Sequence, residues 1–178
     1  MRGKVEFKQA LRQRVALLKG LPLSELEHLI LNIPYTPGVE RLVYILKILG
    51  YQIGLVSGGF TRVIEHIKQR FNIDYGYANT LEVKNGKLTG RKSGNILDGH
   101  QKGVILRKIA HRENILLEQV IAVGDGAQMI WKCFPVPVWK LLSTQNVFCR
   151  NVLQEACLSQ TLMRYCIFYG FQIMKSIH

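Results

Sequence analysis

The sequence predicts an α/β fold built on a parallel sheet, and three observations carry that prediction. Residues 51–56 (YQIGLV) and 119–123 (QVIAV) are short and apolar, as buried strands are, and each runs into a glycine-rich turn. A helical pattern lies between them, and strand, helix and strand in that order imply parallel pairing. Also between them, residues 80–90 (TLEVKNGKLTG) alternate Leu81, Val83 and Leu88 about Asn85-Gly86, the strongest short-range hairpin signal.

The elements follow in order. Phe7, Leu11, Val15 and Leu18 recur at helical spacing over residues 5–18, and Gly20 is placed to end that helix. A second helix starts near Ser24, carries Leu26, Leu29 and Ile30, and must stop before Pro34. Thr36-Pro37 offers a capping hydroxyl and a first-turn proline to a third helix over residues 39–49, closed by Gly50. After the first strand, Val63, Ile64, Ile67 and Phe71 share one face of a helix that begins at Thr61. Lys102 opens the helix before the second strand, with Ile105, Leu106 and Ile109 turned inward.

Composition narrows the function classes. The 178 residues, 48% hydrophobic and 20% charged, supply one globular core with at most a small appendage and exclude two large domains. Apolar runs are too short to span a bilayer, and the opening MRGKVEFKQALRQR lacks the apolar core of a secretory signal, so a cytoplasmic protein is expected. A net charge of +12 admits nucleic acid, anionic lipid or a small anion as partner. Because basic and acidic residues are interspersed (Lys4/Glu6, Glu65/Lys68, Arg112/Glu113) and no aromatic-basic motif occurs, neither nucleic acid nor membrane is the expected partner.

Chemistry points to the carboxyl ends of the strands. In open parallel sheets, ligands bind there, where backbone amides and helix N-termini face an anion. Ser57-Gly58-Gly59 and Gly124-Asp125-Gly126 both occupy such ends. A hydroxyl and bare glycine amides suit phosphate, an aspartate suits Mg²⁺, and Lys102 at a helix start between them suits neutralisation of the phosphate. Each motif alone is an ordinary turn or surface residue; their order and spacing favour a site.

With these motifs the chain resembles the phosphoserine phosphatase family of the haloacid dehalogenase (HAD) superfamily, continuously from Met1 to about Ala127. MRGKVEFKQALRQRVALLKGLP is similar to the helical cap, GLVSGGFT to the second motif, Lys102 to the third and AVGDGA to the start of the fourth, with NTLEVKNGKLTG as a flap-like hairpin. The resemblance implies a partial HAD-like Rossmannoid core over residues 34–127, a helical cap remnant over 1–33, and Mg²⁺-dependent hydrolysis of O-phospho-L-serine through an aspartyl-phosphate. It also implies roles: Ser57 and Gly58 bind phosphate, Lys102 stabilises it, Asp125 holds Mg²⁺, Arg14 pairs with the substrate carboxylate, and Glu6 and Phe7 lie near the substrate. Related enzymes acting on other small phosphorylated metabolites differ in the cap, so they form the alternative.

Two departures matter. The family's nucleophile and general acid form an Asp-x-Asp pair on a first, central strand, and no Asp-x-Asp occurs here; the expectation is a sheet missing that strand and a chain without turnover. The fourth motif breaks at Gln128, and composition changes with it: all four cysteines and both tryptophans follow residue 127, while fifteen of sixteen glycines precede it. The cysteine spacings fit no zinc site. Read from the third base of the Gln128 codon, the genetic code yields Asn or Asp, then a forced Asp, restoring the family pattern, so residues 128–178 are read as a frame-shifted tail. The rival reading takes residues 157–171 (CLSQTLMRYCIFYGF), where Leu158, Leu162, Tyr165, Cys166 and Tyr169 fall roughly at helical spacing, as an amphipathic or membrane-surface segment.

Overall fold

The computed structural model describes residues 2–35, 38–124, 139–142 and 165–169; for 2–6, 124 and the last two segments it describes the backbone alone. Helices α1 (Arg2–Ala16), α2 (Leu23–Leu31) and α3 (Val39–Ile48) precede β1 (Gln52–Phe60). Then come α4 (Thr61–Phe71), β2 (Tyr75–Lys84), β3 (Lys87–Ser93), α5 (Gly99–Arg112) and β4 (Val120–Gly124), followed by β5 (Trp139–Leu142) and β6 (Tyr165–Tyr169). Among the described residues the strands form one sheet in the order β3-β2-β1-β6-β4-β5, parallel throughout except for the antiparallel β2-β3 hairpin.

Burial on both faces of the sheet explains the unbroken apolar runs. Ile53 and Leu55 of β1 and Ile121 and Val123 of β4 pack with Leu42 and Leu46 of α3 and Ile64 and Ile67 of α4. The alternate residues, Val56, Val120 and Ala122, pack with Leu106 and Ile109 of α5. The sheet thus lies between α3/α4 and α5, and the period-two alternation of the strands sorts each residue to its layer. On α4 the positions foreseen as inward, Val63, Ile64, Ile67 and Phe71, are all buried. Gly76 of β2 lets α4 come close, since a Cβ there would stand 2.7 Å from Ile64 Cγ2. Asp74 ties α3 to the sheet: its Oδ2 accepts from Ile53 N at 2.7 Å and pairs with Lys47.

Three expectations change in the structure. β1 does not end at Val56 but continues to Phe60, because pairing with β2 resumes at Phe60↔Asn79 after a break in register that begins at Val56↔Tyr77. Residues 57–59 are thus an irregularity within a strand rather than a turn beyond it. The residue that caps α3 is Gly38, in the left-handed region at φ 87°, while Thr36 and Pro37 lie outside the described residues. The third change is at the sheet's centre. Where the sequence leaves a gap, β6 runs parallel to both neighbours, from Gln52↔Tyr165 to Val56↔Tyr169 on one side and from Val120↔Tyr165 to Gly124↔Tyr169 on the other. The helical spacing read across 157–171 is not realised in 165–169, which are extended, with the aromatic-rich YCIFY suiting a strand; the rest of that stretch lies outside the described residues.

The hairpin forms as its sequence foretells. Asn85 and Gly86 both take positive φ, 51° and 71°, as a type I′ turn requires. α1 lies against it, with Leu11 and Val15 packed on Phe60, Leu81 and Ile96. No helix among the described residues is long and apolar enough to cross a membrane.

Candidate phosphate site at the strand ends

The site begins with the irregularity in β1. Two residues more lie on β1 than on β2 between the pairs Val56↔Tyr77 and Phe60↔Asn79, so the carbonyls of Gly58 and Gly59 fall out of the ladder. Buried carbonyls need donors, and Asn79 supplies them: its Nδ2 donates to Gly58 O at 2.8 Å and Gly59 O at 3.3 Å. With those oxygens held toward β2, the Gly59 amide faces Ser57 and donates to its Oγ at 3.0 Å. Ser57 is 2% exposed, and its Oγ uses a lone pair on Gly59, which leaves the hydroxyl proton available to a ligand oxygen.

Lys102 lies one turn into α5 and is buried, 6% exposed. The same helix places Leu106 against Val56 of β1, so the first turn of α5 is held beside the strand that carries Ser57. Its N-cap is Asp98, whose Oδ1 accepts from Gln101 N at 3.0 Å, and Asp98 Oδ2 pairs with Lys8 of α1 at 3.4 Å. Phe7, the residue before Lys8, sits over the glycines: a Cβ on Gly58 would be 3.5 Å from Phe7 Cζ. An aromatic ring from α1, itself partly exposed, thus packs on Gly58 of the cradle.

The structure therefore brings together Ser57, Gly58 and Phe7, and sets Lys102 on the helix packed beside them. Arg14 is exposed on α1. Glu6 falls on α1 with its side chain outside the description, and Asp125, next after β4, lies outside the described residues. Sequence reasoning missed Asn79, Asp98 and Lys8. Asp98-x-x-Gln101 was readable as a helix start of the Asp/Gln type. Asn79 carried only a weak signal, a residue type depleted in strands standing inside one. At the opposite, amino ends of β1 and β2 is a cleft of about 410 Å³ lined by Gln52, Lys68, Asp74, Tyr75, Gly76, Tyr77 and Arg112. Burial, reinforced by a hydrogen bond to Glu113, raises the Tyr75 phenol there from 10.0 to about 12.

A largely parallel sheet between helical layers, with a polar cradle at its strand ends, is the architecture of a HAD-like hydrolase, and the family match agrees. The model of the haloacid dehalogenase-like hydrolase family matches residues 2–128, and the chain belongs to that family. Its relatives are more particular. The chain is 47% identical over 127 residues to the phosphoserine phosphatase of Archaeoglobus fulgidus, covering 71% of this chain and 37% of that one. It is 40% identical over 173 residues to the phosphoserine phosphatase of Methanocaldococcus jannaschii, covering 95% of this chain and 79% of that one. The first likeness spans little more than a third of its relative; the second extends well past residue 128, where the family model ends. Among solved structures, a phospho-aspartyl intermediate analogue of phosphoserine phosphatase superposes with a TM-score of 0.71 at 39% identity, over 94% of this chain and 75% of that one. A substrate-bound phosphoserine phosphatase complex gives 0.71 at 39%, over 94% and 74%. The fold is that of these enzymes.

Proposed function

We propose that the chain binds a small phosphorylated metabolite, of the O-phospho-L-serine type, at the carboxyl ends of β1 and β4. The observation that carries this reading is the β1 irregularity, in which a buried serine hydroxyl retains a proton to donate and Phe7 packs on the adjacent Gly58. Ser57 and the Gly58 amide hold the phosphate oxygens, Lys102 offsets their charge, and Arg14 answers the substrate carboxylate. Ser57, Gly58, Phe7 and Lys102 are supported by their packing; the roles of Arg14 and Glu6 rest on the family resemblance.

The cofactor the family implies is Mg²⁺. Among the described residues no three of His, Cys, Asp and Glu stand together, and the strand ends offer hydroxyl, amide and ammonium rather than carboxylate oxygen. That set suits a phosphate; Asp125, outside the described residues, is the carboxylate that would hold Mg²⁺.

Hydrolysis of this kind needs a carboxylate that attacks phosphorus. The 178 residues contain no Asp-x-Asp pair, and the residue of β6 in register with both Val56 and Gly124 is Tyr169. We read residues 1–178 as a binding unit without turnover. Calorimetric titration with O-phosphoserine, beside a phosphate-release assay with and without Mg²⁺, tests both halves. Saturable binding, weakened by Ser57→Ala and Lys102→Met, with no release is the expected outcome, and any gain of affinity from Mg²⁺ should vanish in Asp125→Asn. Mg²⁺-dependent release would overturn the non-catalytic reading; no binding would overturn the site.

A further inference from the structure

Asn79 was assigned no role in the sequence, yet its side chain makes contacts on two sides at once. It is 2% exposed. Toward β1 its Nδ2 donates to Gly58 O and Gly59 O at 2.8 and 3.3 Å. Toward α5 its Oδ1 accepts from Leu97 N at 2.8 Å, and Leu97 precedes Asp98, the N-cap of the helix that carries Lys102.

We infer that Asn79 is a positioning residue of the phosphate site, a single amide that fixes the spacing between the Ser57-Gly58-Gly59 cradle and the start of α5. The inference rests on the phosphate-site reading and deepens it. Its chemistry is specific to a carboxamide. The two glycine carbonyls face β2 and require donors, whereas the Leu97 amide requires an acceptor, so the side chain must offer NH₂ on one side and C=O on the other. Aspartate supplies only the acceptor, leucine of similar volume supplies neither, and alanine also leaves space. By fixing both glycine carbonyls, Asn79 sets the plane of the Gly58–Gly59 peptide and so the direction of the Gly59 amide that orients Ser57 Oγ. Fixing Leu97 sets where Asp98, and one turn later Lys102, begin. A ligand bridging Ser57 and Lys102 then meets two groups whose separation is already defined, which lowers the ordering cost of binding.

Thr80 is the control. It follows Asn79 on β2 and makes its own cross-connection, Oγ1 to Thr61 Oγ1 at 2.9 Å, but it touches neither the glycine carbonyls nor Leu97. The experiment measures inorganic phosphate affinity of the full chain, wild type and variants, at a temperature where circular dichroism shows each folded. Amide hydrogen exchange is followed at Leu97 in parallel. Asn79→Leu and Asn79→Ala should weaken phosphate by about tenfold or more and speed exchange at Leu97, while Thr80→Val stays within about twofold; tenfold corresponds to the loss of roughly one well-made hydrogen bond in an equilibrium constant. Asn79→Asp should keep Leu97 protected yet lose affinity, because only its β1 side is gone. Unchanged affinity in the Asn79 variants, or an equal loss in Thr80→Val, overturns the inference. If wild-type protein binds no phosphate, the site reading falls, and the inference falls with it as a statement about binding; Leu97 exchange unchanged in Asn79→Ala would show that the clamp itself is absent.

Discussion

Ser57 and Tyr75 show how position on one sheet decides what a hydroxyl does. Ser57 sits at the carboxyl end of the β1 core, its Oγ accepting from a glycine amide, so its proton is left for a ligand. Tyr75 sits at the amino end of β2, where its hydroxyl donates to Glu113 and Arg112 lies 5.7 Å from the ring centre. Burial and the neighbouring carboxylate both disfavour the phenolate, and the pKa moves from 10.0 up to about 12. A group whose folded pKa is raised contributes stability that is complete below its unfolded value and is lost as pH rises through the folded one. Wild-type protein should therefore lose stability relative to Tyr75→Phe as pH rises from 10 to about 12, a trend that urea unfolding at stepped pH would reveal. Parallel curves for the two proteins would show that the phenol is not perturbed. The same scale explains what the sequence concealed: Ser57 was legible because a strand followed by SGG is a pattern, whereas Asn79 acts through carbonyls exposed only by an irregularity that no local pattern announces.

Among the elements, those governed by local chemistry were legible and those governed by pairing were not. The hairpin is fixed by Asn85-Gly86, and α4 by four apolar residues on one face, so both were readable from neighbouring residues. The true end of β1 depends on where β2 resumes pairing, and the position of β6 depends on strands more than forty residues distant in sequence; neither leaves a short-range trace. Close packing between elements is equally hidden. Gly76 reads as an arbitrary glycine in YGYAN, yet it is the point at which α4 meets β2. Gly76→Ala places a methyl where Ile64 Cγ2 stands 2.7 Å away, so the helix must shift or Ile64 must leave its rotamer. Overpacking of this sort costs about 1–3 kcal/mol. Thermal melts should show the loss, and Ile64→Leu in the same chain should recover part of it by removing the Cγ2 methyl from that crowded site. A melt unchanged by Gly76→Ala would mean that α4 does not press on β2 as closely as described.

At the scale of the whole molecule, β6 joins the two halves of the sheet among the described residues. β3, β2 and β1 form one run and β4 with β5 another, and the register places 165–169 between them, paired along five residues on each side. A central parallel strand uses the hydrogen-bonding groups of both edges, so its removal exposes the backbone of β1 and of β4 together. The consequence reaches the site, since Ser57 lies on one of the two strands that β6 joins and Asp125 is the next residue after the other. Ile167, in register with Gly54 and Ala122, is the middle residue. Proline there has no amide to donate and is not accommodated in a central strand. Ile167→Pro should therefore abolish cooperative unfolding of the two halves, raise hydrogen exchange in β1 and β4 alike, and remove phosphate binding, whereas Ile167→Val, which keeps the amide and the β-branch, should leave all three close to wild type. Hydrogen exchange followed by mass spectrometry distinguishes the outcomes: protection lost across Ile53–Val56 and Val120–Val123 together marks β6 as the joining strand. Protection retained in both segments of Ile167→Pro would show that some other part of the chain fills the centre of the sheet.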